Sequence, residues 1–195
     1  MAILRTRCGT KRRAKGWIGA AGLAVLCAVA AVPQPAGEAN KDFTEYEVKA
    51  AFLVNFAKYV EWPEKAFPEA DSPFKIGVLG PNPFGDTLER LTGDQELNGR
   101  KMAVERSDDI KELSACQIIF LAGPDRKSTT TDLEALKELP ILTVGEQAGF
   151  AEQGGTVNFV VVETKVKFEI NVASANRTEL KVSPRLLKLA IKRYE

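Results

Sequence analysis

The chain has 195 residues, of which 45% are hydrophobic and 27% are charged, and its formal net charge is +1. This balance excludes a disordered or fibrous protein, and the length is sufficient for one domain with its own core. The chain contains no histidine, which excludes Ser-His-Asp and Cys-His nucleophilic systems and the usual zinc ligand sets. We therefore predict a protein that is not an enzyme and that needs no cofactor or metal.

The N-terminus has the arrangement of a secretory signal peptide, with basic residues followed by a short apolar stretch. Six lysines and arginines precede the apolar residues Trp17 to Val32. A permanent membrane anchor is the alternative, but a stretch this short and rich in Ala and Gly is marginal for a membrane span. A lipoprotein site at Cys27 is disfavoured because the large residue Leu26 precedes it. The pattern favours a signal peptide that is removed on export.

Removal of the signal changes the charge and the cysteine content of the chain. Cleavage after Ala30 or Ala39 fits the small residues there, and we predict a signal peptide and lead-in at residues 1–39 and a periplasmic domain at residues 40–195. That domain keeps 21 Lys and Arg against 25 Asp and Glu, a net charge of −4. This mildly acidic charge predicts no nucleic-acid partner. Cys116 becomes the one remaining thiol, so we expect no internal disulfide.

The first element of the domain is an amphipathic helix. Thr44 and Glu47 have the spacing of a capping box, and Trp62-Pro63 ends the segment. Aromatic and aliphatic residues recur at helical spacing and predict a buried stripe. Leu53 lies off that stripe, and we predict that it faces a partner or a second subunit.

The middle of the chain alternates short apolar strands with helices. Continuously apolar strands separated by helices favour a mostly parallel sheet that is covered on both faces. We therefore predict a single α/β domain with a mostly parallel twisted sheet, helices on both faces and a C-terminal antiparallel β-hairpin. The predicted strands and helices of this region are Phe74 to Leu79, a helix through Leu91, Met102 to Val104, Ile118 to Leu121, a helix from Ser128 to Leu139, and Ile141 to Val144.

The C-terminal region contains the hairpin and a last helix. The first strand, Val157 to Val162, is apolar on nearly both faces and should lie deep in the sheet. The alternating second strand, Val166 to Ile170, should lie near an edge or under a partner. Ser183 and Pro184 start the last helix as N-cap and first-turn residue. Its predicted buried stripe consists of Leu186, Leu187, Leu189, Ala190 and Tyr194.

Three loops should gather at the carboxyl ends of the parallel strands, where open α/β sheets form their crevice. They begin near Gly80, Gly123 and Gly145. The first loop carries two prolines, which remove N–H donors that a phosphate cradle needs, and the second lacks the glycine before lysine of a P-loop. Nucleotide binding is therefore disfavoured, while a small ligand in this crevice remains a second hypothesis.

Three segments resemble the signatures of the YfiR-like family of periplasmic proteins. The resemblance covers nearly all of the exported domain and combines three motifs in order. They are the opening helix Val48 to Pro63, the segment Gly154 to Phe159 with Lys165 to Asn171, and the C-terminal segment Leu180 to Ala190. The resemblance implies an exported, non-enzymatic and often dimeric α/β protein.

The resemblance also implies a partner and a biological role. Studied members repress an inner-membrane diguanylate cyclase by binding its periplasmic sensor domain, which limits cyclic di-GMP synthesis and biofilm formation. An accessory subunit of a sensor kinase and a small-ligand-binding protein are the alternatives. Studied members carry cysteine pairs that form disulfides, whereas this domain retains only Cys116, so an internal redox switch is not expected here.

We predict the partner-binding surface from the hairpin edge, the off-stripe leucine and the last helix. Edge strands offer unpaired backbone groups to another chain, although an ordinary solvated edge is equally compatible with this pattern. The predicted contact residues are Leu53, Val166, Lys167, Phe168, Glu169, Ile170 and Arg185.

Overall fold

The computed structural model describes residues 43–123 and 126–195, so the predicted signal peptide lies outside the described part of the chain. The described residues belong to one compact unit. Its helices are α1 Glu45–Tyr59, α2 Thr87–Thr92, α3 Arg126–Leu136, α4 Val172–Arg177 and α5 Pro184–Leu189, with a 3-10 turn at Glu64–Ala66. Its strands are β1 Val60–Glu61, β2 Phe74–Leu79, β3 Glu96–Leu97, β4 Arg100–Ser107, β5 Ile118–Leu121, β6 Leu142–Gly145, β7 Val157–Val162, β8 Lys165–Asn171, β9 Lys181–Val182 and β10 Lys192–Tyr194.

The main sheet has eight strands in the order β10-β8-β7-β6-β5-β2-β4-β3. In this order, the five consecutive strands β7, β6, β5, β2 and β4 run parallel to one another. The pairs β7–β8 and β3–β4 are antiparallel. Strands β1 and β9 form a separate antiparallel pair. The prediction of a single α/β domain with a mostly parallel sheet and a C-terminal antiparallel pair is confirmed.

Helix α1 covers one face of the sheet with an aromatic cluster. Phe56 lies 5.9 Å from Phe159 and 5.3 Å from Phe168, measured between ring centroids. The predicted capping box is present at the start of the helix, where Thr44 Oγ1 accepts from the Glu47 backbone N–H and Glu47 Oε2 accepts from the Thr44 backbone N–H. Burial of aromatic side chains is a major favourable term in folding, so this helix is anchored along its length.

A second, smaller core lies on the opposite face of the sheet. Leu133 and Leu136 of α3 pack there with Ile119 and Leu121 of β5 and with Phe150. The strands between the two cores are apolar on both faces because both faces are covered, as expected for parallel strands.

The predicted C-terminal helix is shorter than expected and its stripe is only partly buried. Helix α5 ends at Leu189, which is 61% exposed. The chain then turns back into β10, which pairs in parallel with β8 through Tyr194 and Asn171. The backbone N–H of Ile191 donates to the Phe168 carbonyl at 2.9 Å and so starts this pairing. The predicted last turn of the helix is therefore a strand, β10. The edge of the sheet is formed by β10 and not by the hairpin of β7 and β8.

The buried side chain of Gln117 connects three segments at the amino end of β5. Its Oε1 accepts from the Lys75 backbone N–H at 2.7 Å, and its Nε2 donates to the Ala66 carbonyl at 2.7 Å. The Gln117 carbonyl accepts from the Trp62 indole at 3.2 Å. One glutamine thus attaches the 3-10 turn and the start of β2 to the central strand. Among residues 43–123 and 126–195, no helix is long and apolar enough to cross a bilayer.

Candidate functional site

The structure divides the predicted contact residues into buried and accessible groups. Leu53, Phe168 and Ile170 are at most 2% exposed and belong to the main core. Leu53 is buried because the face of α1 that packs on the sheet is wider than one stripe. The expectation that these three side chains lie at the surface was wrong. The remaining predicted residues are accessible: Lys167 and Arg185 are exposed, and Val166 and Glu169 are half-buried.

The β7–β8 hairpin projects beyond both of its neighbouring strands. Pairing of β7 with β6 ends at Asn158, and pairing of β8 with β10 begins only at Glu169. The two strands continue to pair with each other as far as Val162 and Lys165. The outer part of the hairpin, residues 159–167, therefore has a free strand edge on each side, and we call it the projecting hairpin.

The backbone of the projecting hairpin offers hydrogen-bonding groups to a further strand. Its two-residue turn has positive φ values at Glu163 (48°) and Thr164 (66°), which is the geometry of a type I′ turn. In such hairpins the closing pair, here Val162 and Lys165, is hydrogen-bonded and the next pair is not. The N–H and C=O of Val161 consequently point away from β8, towards the side on which β6 has ended.

The side chains of the projecting hairpin extend the apolar face of the sheet past the end of the core. Val161 pairs with Val166 on the same face as the buried Phe159–Phe168 pair. Val161 and Val162 are 51% and 45% exposed. Aliphatic side chains next to free backbone edges are the features of a surface that accepts another protein strand.

A cleft that is lined in part by the projecting hairpin lies at the carboxyl ends of the strands. Its volume is about 660 Å³, and its walls come from the start of α1, the ends of β5 and β6, and β7. Of the three loops expected here, the one at Gly123 lines the cleft, and so does Glu146 directly after Gly145, whereas Gly80 does not. The predicted crevice is therefore present in part.

A buried lysine stands at the centre of the polar wall of this cleft. Lys49 is 3% exposed, and its Nζ donates to Glu45 and, at 2.5 Å, to Glu146 Oε2. The Tyr46 hydroxyl donates to the other oxygen of Glu146 at 3.1 Å. Burial lowers the pKa of Lys49, but its hydrogen bonds and attraction to Glu146 and Glu45 outweigh this and leave the pKa raised. Lys49 is therefore an ammonium ion held by two carboxylates.

This network was missed because Lys49 looks like an ordinary helix-surface residue. A signal was present in the sequence, since Lys49 stands seven positions before Phe56 of the predicted stripe and therefore lies on the same helical face. A lysine on an otherwise apolar face requires a buried anionic partner. Its partner Glu146 lies 97 residues further along the chain, and no local pattern could have identified it.

The remaining thiol is buried away from both surfaces. Cys116 is 2% exposed, and its Sγ lies 3.5 Å from Glu105 Oε2. Burial, together with the negative charge of Glu105, raises the pKa of Cys116 to about 12. In the described residues, no group of three or more His, Cys, Asp or Glu side chains is placed to hold a metal ion.

The raised pKa of Cys116 predicts a slow thiol. At about pH 8, we expect the folded protein to react with a disulfide reagent at least about 100-fold more slowly than the guanidinium-unfolded chain, because only the thiolate is nucleophilic. Absorbance of the released thiolate measures both rates in a chain starting at residue 40. Similar rates in the two states would show that Cys116 is accessible and ionised more easily than its surroundings indicate.

A search with protein-family models identifies the class to which this fold and these surfaces belong. The YfiR/HmsC-like model matches residues 46–191, which include every strand of the main sheet except β10. The chain belongs to the YfiR/HmsC-like family. This family is regulatory rather than catalytic, and its members are periplasmic.

A solved structure shares the fold at low sequence identity, and a second gives a lower score. A conserved domain protein from Vibrio cholerae O1 biovar El Tor str. N16961 superposes with a TM-score of 0.50 at 12% identity, covering 78% of this chain and 61% of that one. The ABC domain in complex with L-Trp from Streptococcus pneumonia gives a TM-score of 0.48 at 12% identity, covering 76% and 60% of the two chains. This chain thus spans about three fifths of the length of these proteins, and the Vibrio likeness shows a shared fold only.

Proposed function

We propose that this chain is an exported periplasmic regulator that binds the periplasmic sensor domain of an inner-membrane diguanylate cyclase and represses it. The observation that carries the proposal is the family match, which extends over nearly the whole described domain. Repression requires that the regulator bind the inactive state of the cyclase more tightly than the active state. Cyclic di-GMP synthesis, and with it biofilm formation, then falls when the regulator is bound.

The projecting hairpin is the contact surface that we propose for this partner. It offers the free backbone groups of Val161 and the half-exposed Val161–Val166 pair, and the accessible Lys167 lies on its other face. A strand of the sensor domain that pairs there would gain main-chain hydrogen bonds and cover the valines. Arg185 on α5 is a further accessible candidate contact.

A charge on the projecting hairpin is expected to weaken the partner complex. In Val161→Glu, we expect at least about a 10-fold loss of affinity for the sensor domain, because a carboxylate would be buried without a partner at the interface. Val161 is 51% exposed, so the fold should tolerate the change. Surface plasmon resonance with the purified sensor domain measures the affinity, and cellular cyclic di-GMP should rise in parallel.

The matched control is Lys101→Glu, which places a carboxylate at an exposed position on β4, near the opposite edge of the sheet. This variant should keep the wild-type affinity. Equal weakening by both variants would reject the hairpin as the contact surface. Failure of the wild-type protein to bind the periplasmic domain of any membrane cyclase of its own bacterium would reject the proposed function, and binding to a sensor kinase instead would favour the alternative partner.

A further inference from the structure

The charge of the exported domain is unevenly distributed, and its C-terminal part is basic. Residues 180–194 contain five lysines and arginines and no aspartate or glutamate. Residues 40–195 as a whole have 21 Lys and Arg against 25 Asp and Glu. Glu195 is the first acidic residue after this segment, and it forms no ion pair with a described residue. Helix α5 and strand β10 therefore form a cationic region on an otherwise acidic domain.

Two exposed aliphatic side chains lie in the middle of this cationic region. Leu189 at the end of α5 is 61% exposed, and Ile191 directly before β10 is 51% exposed. Ala190 between them has an extended backbone and packs against the main core. Side chains two positions apart in an extended segment point to the same side, so Leu189 and Ile191 both lie on the side that faces away from the core.

Three cations lie beside these aliphatic side chains. Arg185, Lys188 and Leu189 have the i, i+3, i+4 spacing of one helical face. Arg193 follows Ile191 by two positions and so lies on the same side of the strand. All three cations are exposed, and none of them forms an ion pair with a described residue. We call this set the basic apolar surface; its residues are Arg185, Lys188, Leu189, Ile191 and Arg193.

The composition of the basic apolar surface selects among partners. A second copy of this chain is disfavoured, because an antiparallel contact between two β10 edges would bring the lysines and arginines of both copies together. A soluble polyanion would pair with the cations but would leave Leu189 and Ile191 in water. An anionic bilayer offers both phosphate groups for the cations and an acyl boundary for the aliphatic side chains.

We infer that the basic apolar surface binds the surface of a bilayer that contains anionic phospholipids. The three cations contact lipid phosphates, and the two aliphatic side chains enter the acyl boundary. Each basic residue near an anionic surface strengthens binding about fivefold, and burial of aliphatic side chains adds to this. Such binding holds the protein at a membrane whichever partner it has. The inference therefore goes beyond the proposed function and can fail while that proposal stands.

The test is flotation of the protein, purified from cells that express the full chain, with lipid vesicles. We expect binding to vesicles of phosphatidylglycerol and phosphatidylethanolamine in equal parts, and none to vesicles of phosphatidylcholine. In the double variant Lys188→Gln/Arg193→Gln, affinity for the anionic vesicles should fall at least about 10-fold. The matched control is Lys101→Gln/Lys111→Gln, which removes the same charge at two exposed lysines outside the surface. The control should weaken binding less than about twofold, because salt screens distant charges.

A second variant tests the aliphatic contribution separately from the charge. Leu189→Gln leaves the net charge unchanged, and affinity for anionic vesicles should fall several-fold because burial of the amide is unfavourable. This loss should persist at high salt, whereas the loss in Lys188→Gln/Arg193→Gln should shrink, because salt screens only the charges.

Three vesicle results would overturn the inference: no binding of the protein to anionic vesicles, equal binding to phosphatidylcholine vesicles, or equal weakening by the two double variants. A dimer that Leu189→Gln dissociates would assign the surface to a second copy of the chain and would overturn it as well.

Discussion

Gln117→Leu is expected to lower the free energy of unfolding by about 2–5 kcal/mol, although leucine has a similar size. The substitution leaves the Lys75 N–H and the Ala66 carbonyl without the side-chain partners that now lie 2.7 Å away. Because Gln117 is 1% exposed, water cannot replace those partners. Each buried group left unpaired costs about 1–3 kcal/mol.

Urea unfolding followed by circular dichroism measures this loss. Gln153→Leu is the matched control, because Gln153 also uses its amide to bond a carbonyl, that of Gly149, but is not part of the core. It should change stability by less than about 1 kcal/mol. Gln117 would not be a tether if the two leucine variants had the same urea midpoint.

The sequence patterns predicted those parts of the fold that depend on local periodicity. Thr44 and Glu47 predicted the start of α1, and the β-branched run of Val157 to Val162 predicted a strand inside the sheet; both are present. The mostly parallel sheet was predictable because strands that are buried on both faces lack the alternation of polar and apolar residues. Each of these features is determined by residues that lie within a few positions of one another in the sequence.

The end of the chain was mispredicted because a competing tertiary interaction is stronger than the local pattern. Leu186 to Ala190 has helical spacing, and α5 forms over most of it. Beyond Leu189, however, the outer edge of β8 offers unpaired backbone groups, and the segment at Tyr194 pairs with them as β10. The local sequence near the C-terminus does not show that β8 has a free edge, nor how far that edge lies from the last residues.

The candidate site was predicted less well than the fold, since its residues meet only after folding. The crevice was expected from the topology of open α/β sheets, and Gly123 does lie in its wall. Its polar wall depends on the pairing of Lys49 with Glu146, two residues that are far apart in the sequence.

Gly155→Ala is expected to lower the free energy of unfolding by about 1–3 kcal/mol through overpacking in the second core. A Cβ at Gly155 would lie 2.1 Å from Phe150 Cε1, and one at Gly145 would lie 2.5 Å from Phe150 Cδ2. The phenyl ring is fully buried between these two backbone segments, so it has little room to move. The two glycines are thus required by the ring, not by their own backbone angles.

Chemical denaturation measures the loss of stability in Gly155→Ala. In Gly123→Ala, where a Cβ would meet no atom of the described residues within 4 Å, stability should stay within about 0.5 kcal/mol of wild type.

A double-mutant cycle separates this clash from a general intolerance of alanine. Phe150→Ala alone should cost about 3–5 kcal/mol because it leaves a cavity. Adding Gly155→Ala to that variant should cost little, because the ring that the methyl group would strike has been removed, so the two effects should fall short of their sum by more than about 1 kcal/mol. If the two losses were strictly additive, Gly155 would be needed for a reason unrelated to Phe150. The steric explanation for Gly145 and Gly155 would then be wrong.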